Sequence, residues 1–346
     1  VDGRAAGGAS GDLAGGGVEH AAHIAASKQA AQGFFTCSSR ARRATFSPVA
    51  APVKVYSVAM PTLTLLPARP RDLGGFTVHR ALPAAQRRLV GPFIFWDHMG
   101  PTTLDKGRGL DVRPHPHIGL ATVTYLFEGE IVHKDSLGSD LAIRPGDVNW
   151  MTAGRGIVHS ERTGAELRKS GGPVHGLQTW VALPLEHEEA APGFQHVESK
   201  ALPELDLAGA RLRVVAGTAF GATSPVTVAS PTFYVDARLQ AGATVSLPAE
   251  YAERAAYVVE GAIACDAEKV EALTMAVLAD GARGEIRALR DSRVMLLGGD
   301  SLGTRHIWWN FVSSSTERIE RAKLEWKEGA FPRVPGDDVE FIPLPA

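Results

Sequence analysis

Tyr125-Leu126-Phe127-Glu128-Gly129-Glu130-Ile131 is echoed by Tyr257-Val258-Val259-Glu260-Gly261-Ala262-Ile263, at a constant offset of 132 residues. Each copy is a β-branched and aromatic run that ends in Glu-Gly, the pattern of a strand entering a turn. An offset of that length is about one β domain, so the chain reads as a tandem duplication. Between residue 60 and the 310s, short strand-like runs alternate with Gly, Pro, Asp and Asn, with few long helical periodicities. That pattern predicts an all-β architecture of sandwiches or barrels.

One copy carries chemistry. His115-Pro116-His117 and His159-Ser160-Glu161 are two x-spaced pairs of metal-ligand side chains. Along a strand, residues i and i+2 point to the same face, so each pair aims two donors into one cavity and two facing strands complete a shell of three imidazoles and a carboxylate. Such a shell suits Fe(II), Mn(II), Ni(II), Cu(II) or Zn(II) better than a hard, all-oxygen ion. The blander alternative is a set of buried, hydrogen-bonded histidines, which does not account for two such pairs on strand-like sequence. Ile118 to Phe127 reads as a strand, and Gly154-Arg155-Gly156 bends the chain just before Ile157-Val158-His159. The same 132-residue offset carries His115 and His117 onto Leu247 and Ala249, so the second copy is expected to have kept its strands and lost its ligands. One metal per chain follows. His306, beside Trp308 and Trp309, is read as a packed histidine, and Asp147 as the stabiliser of its Pro-Gly turn.

The 346 residues are 45% hydrophobic, enough for two domains, and the net charge of -2 offers nucleic acid no attraction. Cys37 and Cys265 are too few for a disulfide framework, which fits a reducing, cytoplasmic setting. No apolar run reaches membrane-spanning length. Residues 1–59 are rich in Ala, Gly and Ser and poor in acids. They are expected to be a low-complexity leader that buries little: a transit peptide, or more simply upstream sequence translated ahead of Met60. His20 and His23 within it are read as isolated surface histidines. The expected domains are 60–187 with the metal, 188–312 without it, and a C-terminal helix and tail over 313–346. In the tail, hydroxyl residues precede an acidic first turn, Ile319, Ala322, Leu324 and Trp326 offer apolar packing, and Gly329 and Pro332 stop the helix.

Phe95-Trp96-Asp97-His98, Arg113-Pro114-His115-Pro116-His117, Tyr125 to Gly129, Pro145-Gly146-Asp147, Trp150 to Gly156, His159-Ser160-Glu161 and His175-Gly176-Leu177-Gln178-Thr179-Trp180 together resemble the pirin family of the cupin superfamily, over about residues 62–346. The resemblance implies a bicupin, two β-barrels face to face, with iron held in the N-terminal barrel by His115, His117, His159 and Glu161. It implies quercetin 2,3-dioxygenase activity on a small flavonol-like substrate, with Glu161 serving also as catalytic base. The alternatives are an iron-dependent, redox-sensing regulator acting through a protein partner, and a metal-stabilised structural protein. The sequence departs from the general cupin pattern at Ala121, roughly where a glutamate is often found, which removes a possible acid near the metal. His98, His175, Trp150 and Met151 are candidates to line the site or to pack behind it.

Overall fold

A computed structural model describes residues 63–73 and 76–345; the leader, with His20, His23 and Cys37, lies outside the described residues. The described chain forms two β-barrels and a C-terminal helix, the expected bicupin. In the N-terminal barrel, a seven-stranded sheet that includes Phe93–Leu104, Leu120–Glu128 and Gly172–Ala182 packs against a four-stranded sheet. The order of the smaller sheet is Asp111–His117, Ile157–Arg162, Ile131–Asp135, Asp140–Ile143. Its counterpart in the C-terminal barrel runs Thr244–Ser246, Glu285–Ala288, Ala262–Cys265, Glu268–Glu271, the same order of equivalent strands. The duplication read from one repeated segment therefore extends to the topology.

The barrels exchange strands across the boundary expected at residue 187. Gly193–Val197 pairs with Val148–Thr152 in the N-terminal barrel, whereas Leu63–Pro67 pairs with Thr274–Leu278 in the C-terminal one. Each added strand covers a sheet edge that would otherwise present unpaired backbone groups. Leu63 and Leu66 are both buried by this exchange.

Strand alternation sends one face of each large sheet into a shared core, where Trp96, Tyr125 and Phe127 meet Tyr234, Tyr257 and Met295. Several of the polar groups trapped there are paired, as burial favours, although among the described residues Trp96 Nε1 and the Tyr234 hydroxyl have no hydrogen-bond partner. Tyr125 donates its hydroxyl hydrogen to Asp236 Oδ2 at 2.9 Å, and Arg293 both pairs with Asp236 and lies 3.8 Å over the Phe127 ring. His98 Nε2 is 2.8 Å from His175 Nε2, and His98 Nδ1 is 3.0 Å from the Tyr257 hydroxyl.

Burial pushes the His98 imidazole down to about 3, with the neighbouring His175 and His79 acting in the same direction. The unfolded chain takes up this proton near pH 6.5 and the folded one does not, so the contribution is complete above 6.5 and is lost as pH falls toward 3. By pH 5 the loss is about 2 kcal/mol. Urea unfolding at pH 7 and pH 5 is expected to show a smaller pH dependence in His98→Gln than in the parent; equal dependence would remove His98 from the account.

The last helix spans Thr316–Lys327, and the Ser315 side chain accepts a hydrogen bond from the Arg318 N–H. Ile319 and Ala322 are buried against Ile118, Val158 and Phe311, so the helix sits on the N-terminal barrel. Leu324, expected to pack, is instead 57% exposed, because the helix presents a narrower face than the apolar residues suggested. Among the described residues no helix is long and apolar enough to cross a membrane.

Candidate metal centre

Asp111–His117 forms the edge of its sheet, which tolerates Pro114 and Pro116: the hydrogen bonds these residues cannot donate are not needed on that side. It pairs antiparallel with Ile157–Arg162, placing His159 directly opposite His115 and Ile157 opposite His117. The register shifts between His159 and Glu161. Such a bulge re-aims the side chains beside it.

His115, His117 and His159 each bring a ligand atom within 4.8 Å of the others, and all are buried. Glu161 belongs to a second, overlapping group with His133 and His159. It reaches the three-histidine group through their common member, His159, and lines the same cavity as His115 and His117.

The hydrogen bonds set the tautomers. His115 Nδ1 lies 2.8 Å from the Arg113 carbonyl and His117 Nδ1 3.0 Å from the Asn310 carbonyl. A carbonyl only accepts, so both Nδ1 atoms carry the hydrogen and both Nε2 lone pairs are free. A relay does the same for His159, whose Nδ1 is 3.5 Å from His133 Nδ1, while His133 Nε2 is 3.2 Å from Asp135 Oδ2. Asp135 is itself held by the N–H groups of Leu137 and Ser139. The chain of donors is consistent only if His159 Nε2 also bears a lone pair, and it then faces that of His117 at 3.2 Å. Two lone pairs at that distance repel unless a cation lies among them.

Burial drives His115 down to about 4 and holds His117 and His159 well below the usual imidazole range. At neutral pH all three are in the uncharged form that binds metals. The same burial raises the Glu161 carboxyl, opposed by the nearby His133 and by hydrogen bonds from Thr124 and Gln178. Thr124 Oγ1 is 2.9 Å from Glu161 Oε1 and 2.9 Å from Gln178 Oε1. A hydroxyl has one hydrogen to give, and here it serves the carboxylate. These residues fit a divalent cation: neutral nitrogen donors with fixed tautomers, a carboxylate alongside, and supporting partners for each.

Other sequence candidates lie elsewhere. His98, His175 and Trp150 face the inter-barrel core, and Met151 packs with Ile94, Leu120 and Ile157. Ala121 also points into the inter-barrel core, so an acid at that position would not have faced the histidines. The residue that does reach Glu161 from this strand is Thr124. Sequence reasoning missed His133 and Asp135, although they form a third x-spaced pair on a strand.

The cavity beside the cluster has a volume of about 370 Å³. Phe95 and Trp180 stack at 4.0 Å between centroids, and Trp180 meets the His117 ring edge to face at 5.1 Å. The Arg80 guanidinium lies 4.2 Å over Phe95, held there by two 2.7 Å hydrogen bonds to Asp97. Trp309 and Asn310 close another part of the wall.

Comparison with known proteins agrees with this architecture. The family model described as Pirin matches residues 75–181, and that described as Pirin C-terminal cupin domain matches residues 234–332. A pirin-like protein of Caulobacter vibrioides is 54% identical over 281 residues, covering 80% of this chain and 97% of the relative. Pirin of Homo sapiens is 32% identical over 275 residues, covering 77% of this chain and 91% of the relative. The crystal structure of quercetin 2,3-dioxygenase from Acinetobacter baumannii superposes with a TM-score of 0.76 at 34% identity, covering 82% of this chain and 95% of that one.

Proposed function

The chain belongs to the pirin family, and from that premise we propose that it is a metal-dependent dioxygenase of the quercetin 2,3-dioxygenase type. In this reading His115, His117, His159 and Glu161 hold one divalent ion, Fe(II) foremost, with Mn, Ni, Cu or Zn as competitors that affinity alone does not exclude. The observation that carries it is the opening of His115, His117 and Glu161 into a single aromatic-walled cavity of about 370 Å³. Volumes of this order hold small organic ligands.

When bound, the ion supplies Lewis-acid and redox chemistry toward dioxygen and a chelating hydroxyl group. The chain's own residues do the rest. Phe95 and Trp180, stacked on each other, form an apolar aromatic wall beside a flavonol ring, and burial of the cluster keeps bulk water from competing. Glu161, with its carboxyl raised by burial and one oxygen held by Thr124, accepts the proton of the substrate hydroxyl on its carboxylate. The structural likeness to a quercetin 2,3-dioxygenase supports the choice of substrate class.

Oxygen-electrode measurements test the reading. Protein reconstituted separately with Fe, Mn, Ni and Cu is expected to consume dioxygen with quercetin in at least one form. Uptake at the metal-free background in all four would reject the enzyme and leave a metal-dependent regulator acting through a protein partner as the better account.

A further inference from the structure

The strands His306–Trp308 and Phe311–Ser313 form a hairpin in which Trp308 pairs with Phe311, leaving Trp309 and Asn310 as a two-residue tip. Tight hairpin tips require positive φ, and glycine or asparagine supplies it at least cost. Here the first tip residue is a tryptophan with φ 51°. For a bulky side chain this is a strained conformation, which persists only where the surroundings impose it.

The surroundings do impose it. Phe311 bridges to Ile118, and the Val312 N–H donates to the Ile118 carbonyl at 3.2 Å. Gly119, at φ 67°, lets the hairpin approach so closely that a Cβ there would lie 2.0 Å from the Val312 carbonyl oxygen. The hairpin is thus seated on the residues that directly follow His117. Its tip does two things at once: the Asn310 carbonyl accepts from His117 Nδ1 at 3.0 Å, and Trp309 lines the cavity beside the histidines. The Trp309 ring is braced edge to face against Phe311 at 5.6 Å.

We propose that Trp309 is a specificity-determining residue of this site, held at a strained hairpin tip so that its indole forms a stacking wall for the aromatic ring of the substrate. The proposal rests on the aromatic-substrate reading above and adds the residue that recognises the ring. A tip of Gly or Asn would have closed the hairpin without strain but left that wall open. Asn310 ties the same tip to His117, which keeps the wall in register with the metal ligands.

The test uses quercetin titrated calorimetrically into metal-loaded protein under anaerobic conditions, so that binding is read without turnover, together with urea midpoints. Trp309→Gly and Trp309→Ala are each expected to weaken quercetin binding about tenfold, the effect typical of removing a stacked aromatic anchor, and Trp309→Phe to recover most of it. Trp309→Gly should also unfold at higher urea than Trp309→Ala, because only glycine adopts the tip conformation without strain. Metal content should match the parent in all three variants. Wild-type affinity in Trp309→Gly overturns the recognition role, and a midpoint for Trp309→Ala at or above that of Trp309→Gly overturns the strained tip. Loss of metal from Trp309→Gly would make the tip a structural clamp and likewise overturn the proposal. Failure of the wild-type protein to bind quercetin rejects the substrate class, and this inference with it; normal wild-type binding that the variants retain rejects the inference alone.

Discussion

His159→Ala purified with metal in excess is expected to retain little of it, with affinity reduced by more than the roughly 10–100-fold that loss of a ligand's supporting partner causes. His159 is the member shared by both ligand groups, so its removal breaks the link between the three-histidine set and Glu161. Elemental analysis and a chelator titration read the result directly. His133→Leu is the informative companion. It keeps every proposed ligand but deletes the acceptor of the His159 Nδ1 hydrogen, so its affinity should fall within that 10–100-fold range and not beyond it. Stoichiometric, tightly held metal in His159→Ala would overturn the ligand assignment. A second ion near residues 247–300 would overturn the confinement of metal to the N-terminal barrel.

Glu161→Gln is expected to separate holding the metal from moving a proton. The amide keeps an oxygen that accepts from Thr124 and remains available to the ion, so metal content should stay near that of the parent. It cannot take up the substrate proton, and oxygen-dependent turnover of quercetin should fall by about 10²–10⁴-fold, the range associated with loss of a positioned general base. The carboxylate suits that role because burial raises its proton affinity above that of an ordinary carboxyl while Thr124 and Gln178 hold it in place. A fully active Glu161→Gln would leave the enzyme standing and remove Glu161 as its base. Turnover and metal lost in parallel would show Glu161 acting as a ligand alone.

The legible part of this protein is the part encoded by local period and by repetition. Side chains at i and i+2 of a strand share a face whatever the strand packs against, so His115 with His117 and His159 with Glu161 announced two pairs of converging donors. The Tyr125 and Tyr257 segments announced two copies of one topology, and Ser315 with Gly329 bracketed the helix, because capping depends on residues within a turn of the helix end. What lay beyond reach was every relation between segments distant in the chain. His133-x-Asp135 carries the same spacing as the other pairs, but only the pairing of Ile131–Asp135 with Ile157–Arg162 brings His133 behind His159. Ala121 was read as a lost acid near the metal, yet the face on which it stands is turned to the other barrel. The exchange of Leu63–Pro67 and Gly193–Val197 between barrels leaves no trace in composition, since an edge strand of either barrel has the same alternation. Trp309 and Asn310 reach the centre only because the C-terminal hairpin docks at Gly119. Sequence by itself determined which residues share a face and which copy keeps the paired donors; tertiary structure decided what each face meets, because strand pairing and core packing join residues that no local period relates.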